Sequence, residues 1–221
     1  MMLSLALFFA PLDWLAVARR WKPLEYVAKP AVMIFLLGYL WQRTHFHAPL
    51  GWFALALVLS LAGDVFLMLP EENFIGGLVS FLLAHLAYVV GLNQQMPPIN
   101  LAGGLIAAGV AAVGVQIFRR LRVALQANGQ TQYIKPVGVY AVVIAAMLTS
   151  ALWTLAQPVG VWADGPSLLV SAGALLFFLS DTFLAWGKFI HPLPGGRALV
   201  HALYHLGQTG IILGALTHCL V

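Results

Sequence analysis

Apolar runs long enough to matter in a bilayer recur along the whole chain, and they constrain it more than any single motif. They read as helices at about 2–18, 30–44, 49–69, 74–92, 99–118, 136–156, 167–187 and 197–219. A spanning helix uses about 20 residues. Eight such spans consume the 221 residues, which leaves one transmembrane domain over 1–221 and no room for a soluble module. Only 8% of the residues are charged, against about 25% in a soluble domain. That excludes an ordinary soluble enzyme, a disordered chain and a nucleic-acid binder whose basic surface meets water. Turn residues punctuate the runs: Lys22-Pro23 and Lys29-Pro30 before the second, Glu71-Glu72-Asn73 before the fourth, and Pro97-Pro98 before the fifth. Asn128-Gly129, Gly165-Pro166 and Pro192 to Gly196 precede the last three. The expected fold is all-α.

Charge then orients the spans. Lys and Arg accumulate in cytoplasmic loops. With eight spans, ten of the eleven fall in the first, fifth and seventh loops: Arg19, Arg20, Lys22, Lys29, Arg119, Arg120, Arg122, Lys135, Lys188 and Arg197. Arg43 alone falls on the other side. Both termini are therefore expected outside the cytoplasm. The segment from Met1 to Trp14 has no basic stretch ahead of its apolar run, and its Arg pair follows. A first span is expected there, not a cleaved signal peptide. The single cysteine, Cys219, provides no partner for an intrachain disulfide and no Cys-based metal cluster, and reads as a small packing residue.

Three features occur twice in the same order. Lys29-Pro30 is matched by Lys135-Pro136, Gly63-Asp64-Val65-Phe66-Leu67 by Ser180-Asp181-Thr182-Phe183-Leu184, and His85-Leu86-Ala87-Tyr88 by His201-Ala202-Leu203-Tyr204. The offsets are 106, 117 and 116 residues, the mark of a duplication. Halves of about 1–96 and 97–221 are expected, each of four helices. Four spans separate equivalent helices, so the two repeats run parallel.

The polar residues inside these helices are the candidate site. Glu25, Glu71, Glu72 and Asp164 read as solvated loop charges, and Asp13 as an interfacial structural residue near the end of the first span. Asp64 and Asp181 lie a turn or more inside apolar helices, where a carboxylate costs about 2.5–3.5 kcal/mol. Either they pair with Lys29, Lys135 or a His to hold helices together, or they serve a site at the bundle centre. On the last helix His201, Tyr204, His205 and Gln208 fall at i, i+3, i+4 and i+7, one polar stripe on an apolar element. His85 and Tyr88 repeat it more weakly. In a membrane such a stripe lines a cavity or pairs with another helix. The expected pocket opens toward the cytoplasmic leaflet, is apolar within, carries carboxylates and is rimmed by Lys and Arg. It suits an amphiphile with an anionic phosphate head.

These residues resemble the YhhN family of membrane proteins, whose animal members are lysoplasmalogenases. The resemblance covers nearly the whole chain. It rests on Lys29-Pro30, on Gly63-Asp64-Val65-Phe66-Leu67-Met68, and on Phe81-Leu82-Leu83-Ala84-His85-Leu86-Ala87-Tyr88. It continues through Gly173-Ala174-Leu175-Leu176-Phe177-Phe178-Leu179-Ser180-Asp181 and Tyr204-His205-Leu206-Gly207-Gln208. It implies hydrolysis of the vinyl ether bond of a lysoplasmalogen to a fatty aldehyde and a glycerophospho-base. The substrate would be a lysophospholipid among membrane lipids, with no cofactor, metal or nucleic acid, in a multi-pass protein of a bacterial inner membrane.

That chemistry needs a proton delivered to carbon, an oxocarbenium-like species stabilised and a water activated, tasks that two carboxyl groups in unlike environments can divide. Asp64 and Asp181 would take these two roles. Lys29 and Lys135 would bind phosphate, while His85, Tyr88, His201, Tyr204, His205 and Gln208 would orient substrate or water. Two other classes stay open. Parallel repeats around polar residues also suit a transporter or flippase of a lipid-like solute, and a hydrolase could act on another lysolipid. A metal-dependent hydrolase finds no HExxH or Cys pattern here.

Overall fold

A computed structural model describes residues 1–94, 100–158 and 161–220. Eight helices form in the expected order: α1 (Met2–Ala18), α2 (Lys22–Thr44), α3 (Leu50–Met68), α4 (Phe74–Leu92), α5 (Leu101–Ala127), α6 (Ile134–Trp153), α7 (Asp164–Phe189) and α8 (Gly196–Leu220). Among the described residues there is no strand. The Pro97-Pro98 break and the division of the halves at 96/97 lie outside the described residues. Among the described residues, seven helices are long and apolar enough to cross a bilayer. The shorter one is α1, at 17 residues, or about 25 Å.

The exterior carries apolar side chains such as Leu7, Phe8, Val58, Val65, Val142 and Leu168, while Asp13, Lys29, Asp64, His85, His205 and Gln208 are buried. Water would invert that distribution. Lipid favours it, because a polar group facing hydrocarbon has no partner. The chain is an integral, multi-pass membrane protein.

Helix ends depart from the apolar runs where polar residues join a helix. The second helix starts at Lys22, not at Pro30, because Pro23 fits the first turn, where a missing N–H breaks no bond. Pro30 then lies inside α2. Helix α5 continues to Ala127, so Arg119, Arg120 and Arg122 are helical residues and not loop residues. Gly165 and Pro166 form part of the first turn of α7. Other breaks fall where expected. Asn73 Oδ1 accepts from the Gly76 N–H at 2.9 Å and caps α4. Gly129, after α5, takes a φ of +69° that side chains rarely adopt.

Chain neighbours pack in two runs, α1–α2–α3–α4 and α5–α6–α7–α8, and α4–α6 and α1–α8 join the runs. Helix α7 lies close against α8. A Cβ on Gly173 would lie 2.5 Å from the Ile211 nitrogen, so only glycine lets these backbones meet. Three polar contacts gather the basic loops at one end: Lys188 to Glu72 at 2.9 Å, Arg197 to Glu25 at 2.6 Å, and Asn128 Nδ2 donating to the Phe189 carbonyl at 3.1 Å.

Candidate active site

The basic end leads into a cavity among α4, α5, α6 and α7, closed by α2, α3 and α8. Its walls are apolar: Phe74, Leu78, Phe81, Ile117, Leu121 and Phe189 among others. Its polar lining is Lys29, Asp64, Tyr140, Ser180, Asp181, Thr182, His201 and Tyr204. Both intramembrane carboxylates therefore face one space, and their surroundings differ.

Asp64, on the last turns of α3, is fully buried. Its Oδ1 lies 2.9 Å from Lys29 Nζ, and its Oδ2 accepts from the Tyr204 hydroxyl at 2.7 Å. Lys29 also lies 5.6 Å from the centre of the Tyr204 ring, a cation–π distance. Asp181, on α7, keeps 16% of its side chain exposed. Its Oδ2 accepts from the Tyr140 hydroxyl and lies 3.3 Å from His85 Nε2. Phe177 stands between the two sets, 4.7 Å from the His85 ring and 5.3 Å from the Tyr204 ring.

A second tier lies deeper. The Tyr88 hydroxyl donates to Gln208 Oε1, and Gln208 Nε2 donates to Ser60 Oγ at 2.9 Å. Gln208 is twelve residues into α8, about 18 Å from its start at 1.5 Å per residue. Behind α8, His201 Nδ1 lies 2.7 Å from Asp13 Oδ2, and Trp14 Nε1 donates to His205 Nδ1 at 3.1 Å.

Among the residues expected from the sequence, Asp64, Asp181, Lys29, His201 and Tyr204 line the cavity. His85 touches it through Asp181. Tyr88, Gln208 and His205 are buried behind it. Lys135 does not join them: it is exposed. The reason is helix length. Lys29 sits seven residues into α2, whereas α6 begins at Ile134 and leaves Lys135 on its first turn. Asp13 is covered by α8, and Glu25 is not solvated but buried between Arg197 and Lys22.

Tyr140 and Ser60 escaped sequence reasoning, since a lone hydroxyl on an apolar helix carries no periodic signal. Among the described residues, no three His, Cys, Asp or Glu side chains assemble as a metal-binding group.

The YhhN family model matches residues 24–215. Lysoplasmalogenase TMEM86A of Homo sapiens is 32% identical over 160 residues, 72% of this chain and 62% of the relative. Lysoplasmalogenase TMEM86B of Homo sapiens is 33% identical over 190 residues, 83% of this chain and 72% of the relative. A lysoplasmalogenase of Mycobacterium tuberculosis is 32% identical over 152 residues, 64% of this chain and 53% of the relative. The chain thus spans a little over six tenths of the TMEM86A sequence. No solved structure matches it. With a family model covering all but the chain ends and relatives alike over most of its length, the chain belongs to the YhhN family.

Proposed function

We propose that this chain is a membrane-embedded hydrolase that cleaves the vinyl ether bond of a lysoplasmalogen, giving a fatty aldehyde and a glycerophospho-base. The observation that carries this reading is that Asp64 and Asp181 line one apolar cavity with unlike partners. The names of the relatives supply the substrate class.

The alkenyl chain lies along the Phe74, Phe81 and Ile117 wall, and the phosphate faces the basic end. Arg197 and Lys22, about half exposed there, are better placed for it than Lys29, whose ammonium already meets Asp64. Asp181 is the acid. Its Oδ2 takes both Tyr140 and His85, which leaves Oδ1 to carry the proton. That proton passes to the vinyl carbon remote from oxygen, and the C=C electron pair forms the new C–H bond. Positive charge then spreads over the neighbouring carbon and the ether oxygen. The Asp64 carboxylate, fixed by Lys29 and Tyr204 before the reaction begins, stabilises it without reorganising. Water adds to the cationic carbon and gives up a proton. The hemiacetal collapses to the aldehyde as the C–O bond breaks and the glycerol oxygen takes a proton. Tyr88, Gln208 and Ser60 close the deep end, and His205 backs His201.

The same reading holds the eight spans to be two parallel four-helix repeats in a bacterial inner membrane. The basic end faces the cytoplasm and both termini lie outside. Protease added to intact spheroplasts should then remove a C-terminal tag. For the activity, the purified chain in nanodiscs should release aldehyde and glycerophospho-base one-to-one from a lysoplasmalogen. Movement of intact lysolipid across a bilayer with no aldehyde would overturn the reading in favour of a transporter.

A further inference from the structure

The attacking water and the hemiacetal each give up a proton to an acceptor not yet named, and Asp13 is a buried carboxylate beside a cavity-lining histidine. Asp13 is fully buried, at 0% exposure, near the end of α1, an element ahead of the family-matched segment 24–215. A carboxylate in that position is costly unless something fixed depends on it. Its Oδ2 lies 2.7 Å from His201 Nδ1, and its Oδ1 has no hydrogen-bond partner among the described residues. The neighbouring His205 differs. Its Nδ1 accepts from Trp14, so its proton sits on Nε2, and the ring stays outside the cavity. His201 lines the cavity, as Asp64 and Tyr204 do.

We propose that His201 is the base that takes the proton from the attacking water, and that Asp13 is its positioning residue. This rests on the vinyl ether hydrolysis proposed above. With Asp13 ionised, as the proposal has it, its carboxylate can only accept, and the contact places the ring proton on Nδ1. Nε2, with no bond inside the described protein, keeps its lone pair for the cavity. As water oxygen bonds to the cationic carbon, one water proton moves to Nε2. The Asp181 carboxylate, left bare by its own donation, takes the hemiacetal hydroxyl proton. Imidazolium returns its proton to the glycerol oxygen as the C–O bond breaks. One water is consumed, and both groups end as they began.

The test uses the full chain in nanodiscs, a lysoplasmalogen of defined chain length, aldehyde release as kcat and KM, and thermal melting of each variant. His201→Asn keeps an amide N–H where Nδ1 donates to Asp13 and removes only the base. It should melt near wild type and lose kcat by about 100-fold or more, the usual weight of general base catalysis. Asp13→Asn should lose about 10- to 100-fold in kcat, with KM moved by less than about twofold. Asp13→Glu should recover most of that loss. The double variant Asp13→Asn/His201→Asn should be no slower than His201→Asn alone, because Asp13 acts only through the ring. A folded His201→Asn protein with wild-type kcat overturns the proposal, as does a double variant whose losses multiply. Aldehyde release that needs Asp181 but not His201 removes this inference and leaves the proposed function standing. No aldehyde from the wild type removes both.

Discussion

Asp64 and Asp181 sit in similar short sequence motifs, yet the folded chain treats them differently. Asp64 is sealed, with a cation on one oxygen and a hydroxyl on the other. Asp181 opens to the cavity, and its partners are a tyrosine and a histidine. The origin of the difference is the length of the helix before each one. Helix α2 starts at Lys22 and carries Lys29 two turns inward; α6 starts at Ile134 and leaves Lys135 at the rim. Tyr140, five residues further along α6, occupies the contact instead. Similar motifs thus yield one charge-compensated carboxylate and one open to the cavity, which the proposed mechanism uses as the fixed anion and as the acid. Such a division of labour is what acid catalysis beside a cationic intermediate requires.

The comparison can be broken most sharply through stability. Asp64→Asn strands a buried ammonium and should cost about 3–5 kcal/mol. Asp181→Asn, which can still accept from Tyr140, should cost less than about 1.5 kcal/mol. Equal losses in a denaturant titration would remove the asymmetry. Lys29→Met should likewise cost about 3–5 kcal/mol by stranding Asp64. Combined with Asp64→Asn, it should lose clearly less than the sum, since both changes break one pair. Next in size, Tyr204→Phe takes a hydrogen bond from a carboxylate and should cost about 1.5–3 kcal/mol, read from the same titration. The smallest effect belongs to Lys135→Met. It should fall within about 0.5 kcal/mol of wild type and leave aldehyde release unchanged. A large loss there would mean that Lys135 reaches the cavity after all.

Much of the fold was legible because hydrocarbon demands long apolar runs, and these number the helices directly. Helix ends were less so. The start of α2 and the end of α5 are polar, and polar helical turns outside hydrocarbon leave no hydropathy signal; Glu25 and Arg122 looked like loop residues for that reason. Within the site, the intramembrane cost of charge singled out Asp64 and Asp181, and the α8 stripe singled out His201 and Tyr204. The partner of Asp13 was not legible, because position along one helix says nothing of what packs beside it. Only α8 lying against α1 makes it a buried partner of His201. Tyr140 needed the α4–α6 and α6–α7 contacts, which no local pattern encodes.

The central claim is that two carboxylates on one cavity perform the hydrolysis. It is tested most directly by aldehyde release from a lysoplasmalogen, with wild type, Asp64→Asn and Asp181→Asn compared at equal amounts of folded protein. The account predicts release by the wild type and a loss of about 100-fold or more in each variant. Wild-type rates in both variants would contradict it.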